Sequence, residues 1–216
     1  MLKSVNRDNA ILDAIELCGA LDTEQITQLL FNFKSGKRKC QERMKSLLER
    51  NLVKKTQLSL NSPYVYYLKK MPGLPLHALG LSWIYVWFNR RQGEKILTWE
   101  LEQLRDFGLK ADILCSTYIP MTKEVRWYCI EFCRGSVSRN KYLKVSNYDE
   151  LFLKEGFVGS KLMKRLENST RFPKVILFTD NAKHVLKIRS LVAESKTKVR
   201  YEVHFIDSIT FDLAYV

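Results

Sequence analysis

Two carboxylates stand inside runs that are otherwise apolar: Asp112 in the segment ADILC and Glu131 in WYCIEFCRG. A charge among apolar side chains is strongly disfavoured unless it is paired or holds a ligand. If the two segments are neighbouring strands, both carboxylates converge on one divalent ion, Mg or Mn, which would orient a scissile phosphate and activate a water. Glu102, or Glu100, would then supply a third oxygen. Two readings without a metal stand beside this one: strand-end acids facing solvent, and buried acids paired with Arg134 or a lysine.

A second group of residues suits a different chemistry. In KRKCQERMKSLLERN, Cys40, Met44, Leu47 and Leu48 recur at i, i+4, i+7 and i+8, which makes one apolar stripe on a helix. Lys37, Arg38, Gln41 and Lys45 fall on the opposite face. Arg, Lys and Gln make paired hydrogen bonds to guanine or adenine edges, or hold phosphates. A basic helix face is also an ordinary way of staying in water, so the position of the helix in the chain has to decide.

That position is third of three. Ala10, Ile11, Ala14, Ile15, Leu17 and Cys18 recur at helical spacing and stop at Gly19, as at a C-terminal cap. Asp22 or Thr23 then caps a short helix, TEQITQLLF, with Ile26, Leu29 and Leu30 inward. After the basic helix come two β-segments around Asn61, Ser62 and Pro63. Three helices and a hairpin is the winged-helix order, in which the third helix enters the major groove and the hairpin lies on the backbone or in the minor groove. Lys54, Lys55 and Tyr64 are then expected on phosphates. The competing use of such a domain is protein contact or dimerisation.

The segment MPGLP punctuates the chain at 71–75 and places the boundary between a domain of residues 1–72 and one of residues 73–216. The second domain opens with a helix over about 76–90. Three strand-like segments follow, KILTWELEQL, LKADILCSTYI and EVRWYCIEFCR, then a helix carrying Lys141, Lys144 and Tyr148, and then a strand over 174–179, a helix over 181–194 and a strand over 201–206. The expected order is α-β-β-β-α-β-α-β.

Composition fits a nucleic-acid partner. Lys and Arg number 36 against 23 Asp and Glu, for a formal charge of +13, and such a surplus favours a polyanion because neutralised phosphates release counterions. Residues 1–70 carry 13 of those cations against 7 acids. The five cysteines, Cys18, Cys40, Cys115, Cys129 and Cys133, form no C-x-x-C pair, which reads as reduced buried thiols rather than a disulfide framework or zinc site. The start lacks the apolar core of a signal peptide and the run at 76–88 is too short to span a bilayer, so a soluble cytoplasmic protein is expected. His77, His184 and His204 are scattered, and neither a phosphate-binding glycine loop nor G-x-G-x-x-G occurs. The stretch KLMKRLENSTRFPK, with Lys161, Lys164, Arg165, Arg171 and Lys174, reads as a second phosphate patch or as a solvated face.

Behind the three helices and hairpin, LHALGLSWIYVWF, WELE, ADIL, IEFCRG and KVSNY follow one another in an order that resembles the replication-relaxation family of plasmids and other mobile elements. The resemblance covers nearly the whole chain. It implies a second domain similar to the PD-(D/E)XK nuclease fold, with Asp112 and Glu131 at the two acidic motifs, Arg134 and Gly135 closing the strand, and Lys144 and Tyr148 on the next helix. Two departures stand out: Ala111 precedes Asp112 where such nucleases keep proline, and Cys133 stands where they keep lysine. A thiol cannot supply the fixed positive charge that stabilises the attacking hydroxide, so the lysine role would fall to Lys144 or Lys141.

The sequence therefore points to an α+β protein, a winged helix-turn-helix followed by a nuclease-like α/β domain, that binds specific double-stranded DNA through Lys37, Arg38, Gln41, Lys45, Lys54, Lys55 and Tyr64. Two-fold operator sites would make it a homodimer. Replication or relaxosome proteins are the expected further partners, and no membrane is. The alternatives are a metal-dependent endonuclease using Asp112, Glu131 and Lys144, with Asp112, Glu131 and Glu102 on the ion, and an adaptor that mainly binds protein.

Overall fold

A computed structural model describes residues 4–134, 139–155, 157–167 and 169–207. It is a mixed α+β protein that divides into two compact units, the first ending at Arg91 and the second beginning at Gln92.

In the first unit, α1 (Ser4–Cys18), α2 (Thr23–Leu30) and α3 (Gly36–Glu49) pack around Ile11, Ile15, Ile26, Phe31, Cys40, Met44 and Leu47. Asp22 is the cap of α2. Its Oδ1 accepts from Gln25 N at 2.8 Å while Gln25 Oε1 accepts from Asp22 N at 2.9 Å, a reciprocal capping box. Helix α3 ends in a left-handed residue, Asn51 (φ 57°), with Leu52 N bonded to Leu47 O and Asn51 N to Leu48 O. Two-residue β1 (Leu21–Asp22), β2 (Lys54–Gln57) and β3 (Tyr64–Tyr67) form an antiparallel sheet in the order β1-β3-β2.

Helix α4 (Pro75–Arg90) packs on α1, α2 and β1. The buried Gln25 amide donates to Leu79 O at 2.8 Å and Ser82 Oγ donates to Ala20 O at 2.7 Å. These bonds fasten α4 to the first unit, so the boundary expected at 72/73 lies instead at 91/92. The Pro-Gly segment is a turn within the unit.

The second unit is a five-stranded sheet in the order β4-β5-β6-β7-β8. Strands β4 (Lys95–Gln103), β5 (Ala111–Ile119) and β6 (Glu124–Cys133) are antiparallel; β7 (Lys174–Thr179) and β8 (Tyr201–Phe205) run parallel to β6. The parallel steps are made by α5 (Arg139–Glu155) with the short α6 (Lys161–Arg165), and by α7 (Ala182–Glu194). The expected element order thus holds from α4 to β8, with α6 added. Central β6 is buried from Trp127 to Cys133, on both faces of the sheet, as a middle strand should be. One face packs Cys129, Cys133, Val175 and Leu177 under Val145, Tyr148 and Leu151 of α5 and Ile188 of α7. All five cysteines are reduced and buried. No helix among the described residues is long and apolar enough to cross a membrane.

Candidate functional site

Ile113 pairs with Ile130 across β5 and β6, and the same antiparallel register carried one step further sets Asp112 opposite Glu131. Directly opposed residues project to the same face, so the two carboxylates converge as the strand order required. Asp112 Oδ2 accepts from the backbone N–H of Phe132 at 2.9 Å. Glu131, opposite Leu177 on its other side, is fully buried in the middle of the sheet.

Burial there demands partners, and α5 brings them. Lys144 and Tyr148 are one helical turn apart and share a face. Lys144 Nζ donates to Glu131 Oε2 at 2.5 Å and to Lys110 O at 3.2 Å, and Tyr148 OH donates to Glu131 Oε1 at 2.8 Å. Burial, and then the neighbouring Asp112 carboxylate, push the Glu131 carboxyl up to about 8, against the pull of Lys144 and the Tyr148 hydroxyl. Burial by itself would lower the Lys144 ammonium, yet Glu131 and Asp112 outweigh it and hold it above its ordinary value. Tyr148 is raised too, by burial and by Glu131.

Asp149, the next residue of α5, fixes the helix that delivers these groups. Its Oδ1 accepts from Ser195 Oγ (3.0 Å), Thr197 Oγ1 (2.6 Å) and Tyr201 OH (2.7 Å), so α5 is tied to the connection from α7 into β8.

The remaining residues expected at this centre go elsewhere. Glu102 takes a left-handed backbone (φ 54°), and its two oxygens pair with Arg105 and, at 2.7 Å, with Lys110. Glu100 pairs with Arg165, and Arg134 with Asp180 at 3.4 Å. Among the described residues no three His, Cys, Asp or Glu side chains gather as a metal-ligand set, so Glu102 does not complete a centre with Asp112 and Glu131. Asp112 and Glu131 are thus the two carboxylates that would hold an ion, with the ammonium of Lys144 against Glu131. Cys133 is buried in the core. Gly135 and the Lys141 side chain lie outside the described residues.

The second candidate surface is in the first unit. Lys37, Arg38, Gln41 and Lys45 are all exposed along α3, with Arg38 and Lys45 side chains 71% and 80% accessible. Their acidic neighbours are Glu24 for Lys37 (3.4 Å), Glu42 for Arg38 (3.4 Å) and Glu49 for Lys45 (3.9 Å). Exposed pairs of this kind are worth at most about 1 kcal/mol, so the cations exchange partners readily. On the hairpin, Lys54 Nζ donates to Lys69 O at 3.0 Å, and the Lys55 ammonium lies 4.3 Å from the ring centre of half-exposed Tyr64.

Comparison with protein-family models, curated proteins and solved structures finds no match to this chain. What its surfaces do must be argued from their own chemistry.

Sequence reasoning named Lys144 and Tyr148 and held open a buried acid paired with a lysine, as Glu131 is with Lys144, but it did not foresee the Tyr148 bond. It had no signal for Asp149, whose partners lie 46 to 52 residues away, or for the Phe132 amide and the Lys110 carbonyl, which are backbone groups.

Proposed function

We propose that the chain is a sequence-specific double-stranded DNA-binding protein of a plasmid or other mobile element. Its first unit acts as a winged helix-turn-helix, and its second is a nuclease-like fold kept as a non-cleaving scaffold. The observation that carries the reading is the sheet order β1-β3-β2 behind three helices, which leaves the basic face of α3 exposed. In a winged helix that helix reads the major groove and the β2–β3 hairpin lies against the flanking backbone. Arg38, Gln41 and Lys45 are assigned to base edges, and Lys37, Lys54, Lys55 and Tyr64 to phosphates. Binding as a homodimer to a two-fold site goes with this reading.

The test is selection of preferred duplexes from a random library with the full chain, followed by affinity for the selected site against a scrambled one. A preference of about a thousandfold or more supports the reading. Equal affinity for both sends it to the adaptor alternative.

The convergence of Asp112, Glu131 and Lys144 favours a second reading, a metal-dependent endonuclease. Supercoiled and linear DNA incubated with Mg or Mn separates the two. Intact DNA with a retained gel shift is expected, whereas cleavage lost in both Asp112→Ala and Glu131→Ala would replace the scaffold with an enzyme.

A further inference from the structure

At the end of the sheet away from Asp112 and Glu131, the strands β6, β7 and β8 begin beside a concave surface. Arg126 is five residues from Glu131 along β6, about 17 Å at strand spacing. Two depressions meet there, of about 270 and 430 Å³, and both are lined by Thr170, Arg171, Phe172 and Arg200. Because they share those walls, the two depressions adjoin, and together they are called the trench.

Its charge is mainly positive, four cations against Glu124 and Glu167. Arg126, Arg171, Lys198 and Arg200 line it. Glu124 braces two of these, accepting from Arg126 Nη2 at 2.9 Å and lying 3.6 Å from Arg171 Nη1. Lys198 and Arg200 are exposed, and neither is ion-paired to a described residue. Ser169 and Thr170 add hydroxyls, and the half-buried ring of Phe152, backed by the buried Phe157 and Phe172, gives one side an apolar, aromatic floor.

We infer that this trench binds the sugar-phosphate backbone of a single nucleic-acid strand. Guanidinium groups recognise phosphate oxygens through two parallel hydrogen bonds, and the two braced arginines are already held in place. Cations spread over both adjoining depressions, Arg126 in one and Lys198 in the other, favour a chain of phosphates over one small anion. The combination of a cationic track with an aromatic floor is what single strands use, since each base offers an apolar face. The site belongs to the second unit and α3 to the first, and the inference stands whether or not α3 reads duplex DNA.

The experiment is fluorescence anisotropy of the full chain with labelled oligodeoxythymidine of about 12 nucleotides, within the span of single-strand sites, and with a duplex, from about 50 to 200 mM salt. Lys198→Ala/Arg200→Ala should weaken oligodeoxythymidine binding at least about tenfold and lower its salt slope by about 1.4, since each phosphate neutralised on a single strand contributes about 0.7. Duplex affinity should be unchanged. Lys37→Ala/Arg38→Ala/Lys45→Ala should do the reverse. Both trench residues are exposed, and Lys198→Arg/Arg200→Lys, which keeps the charges, should bind as the wild type does.

Three results overturn the inference: no oligodeoxythymidine binding by the wild type or unaltered binding by the alanine variant; equal loss of single strand and duplex, which makes the trench part of a duplex surface; and full displacement by millimolar inorganic phosphate, which makes it a site for a lone anion.

Discussion

The ammonium of Lys144, on α5, meets the Glu131 carboxylate of β6 at 2.5 Å across 13 residues of chain. Tyr148 occupies the other carboxylate oxygen at 2.8 Å. The buried acid is therefore closed on both sides by one turn of one helix, and the centre's chemistry is a shared proton and a balanced charge.

That arrangement makes stability depend on pH in a set direction. The folded Glu131 carboxyl is raised, to about 8, above its ordinary 4.5. A raised acid contributes stability fully present below its unfolded value and lost as pH rises through its folded one. The wild type should therefore lose stability between about pH 4.5 and 8 relative to Glu131→Gln, whose profile should be flatter across that window. Thermal melts at several pH values measure this, at about 2–4 °C in Tm per kcal/mol for a chain of this size. Parallel profiles for the two proteins would remove Glu131 as the titrating group.

Lys144→Met strips the carboxylate of its cation while leaving it buried. Breaking one side of a buried pair costs about 3–5 kcal/mol, whereas removing both partners costs much less. Urea melts of Lys144→Met, Glu131→Gln and the double variant should give a strongly non-additive cycle, with the double variant more stable than Lys144→Met alone. Additive losses would mean that the two residues are not coupled.

On the DNA surface the side chains should separate by role. Arg38→Ala/Gln41→Ala should relax sequence preference by about 1–3 kcal/mol for each base edge no longer read. Lys54→Ala/Lys55→Ala should weaken binding to every duplex and reduce the salt slope by about 1.8, or 0.9 for each phosphate. Competition binding against matched and mismatched duplexes distinguishes the two effects. Normal behaviour of both double variants would take DNA recognition away from the first unit.

Gly36 opens α3, and a Cβ built there would stand 1.6 Å from the carbonyl oxygen of Phe31. Nothing flexible can yield, because the obstacle is backbone. Gly36→Ala should cost at least the 1–3 kcal/mol typical of overpacking and should weaken duplex binding by displacing α3. A Gly36→Ala chain with wild-type Tm and affinity would show that the turn between α2 and α3 adjusts freely.

The periodic parts of the molecule were legible in the sequence. The stripe Cys40, Met44 and Leu47 is the buried face of α3, and β7 occupies the expected 174–179. The convergence of Asp112 and Glu131 was legible too, since it needs only neighbouring strands in register. A lysine partner for a buried acid was open too, but that Lys144 and Tyr148 together close on Glu131 was not legible, because it depends on how α5 crosses the sheet, which Asp149 fixes through distant hydroxyls. Glu102 was misplaced because alternation along β4 gives no warning of its left-handed backbone. The boundary was misplaced because Pro and Gly mark a turn but do not say whether the next helix docks backward, as α4 does through Gln25 and Ser82.

The five buried thiols give each unit its own chemical clock. Cys18 and Cys40 lie in the first unit, Cys115, Cys129 and Cys133 in the second, and burial keeps Cys18, Cys40 and Cys129 protonated and unreactive. An alkylating reagent would thus mark only molecules that have opened. Mass tags counted in peptides from either side of residue 91 would report which unit breathes first, and how far DNA quiets each one, without an added probe.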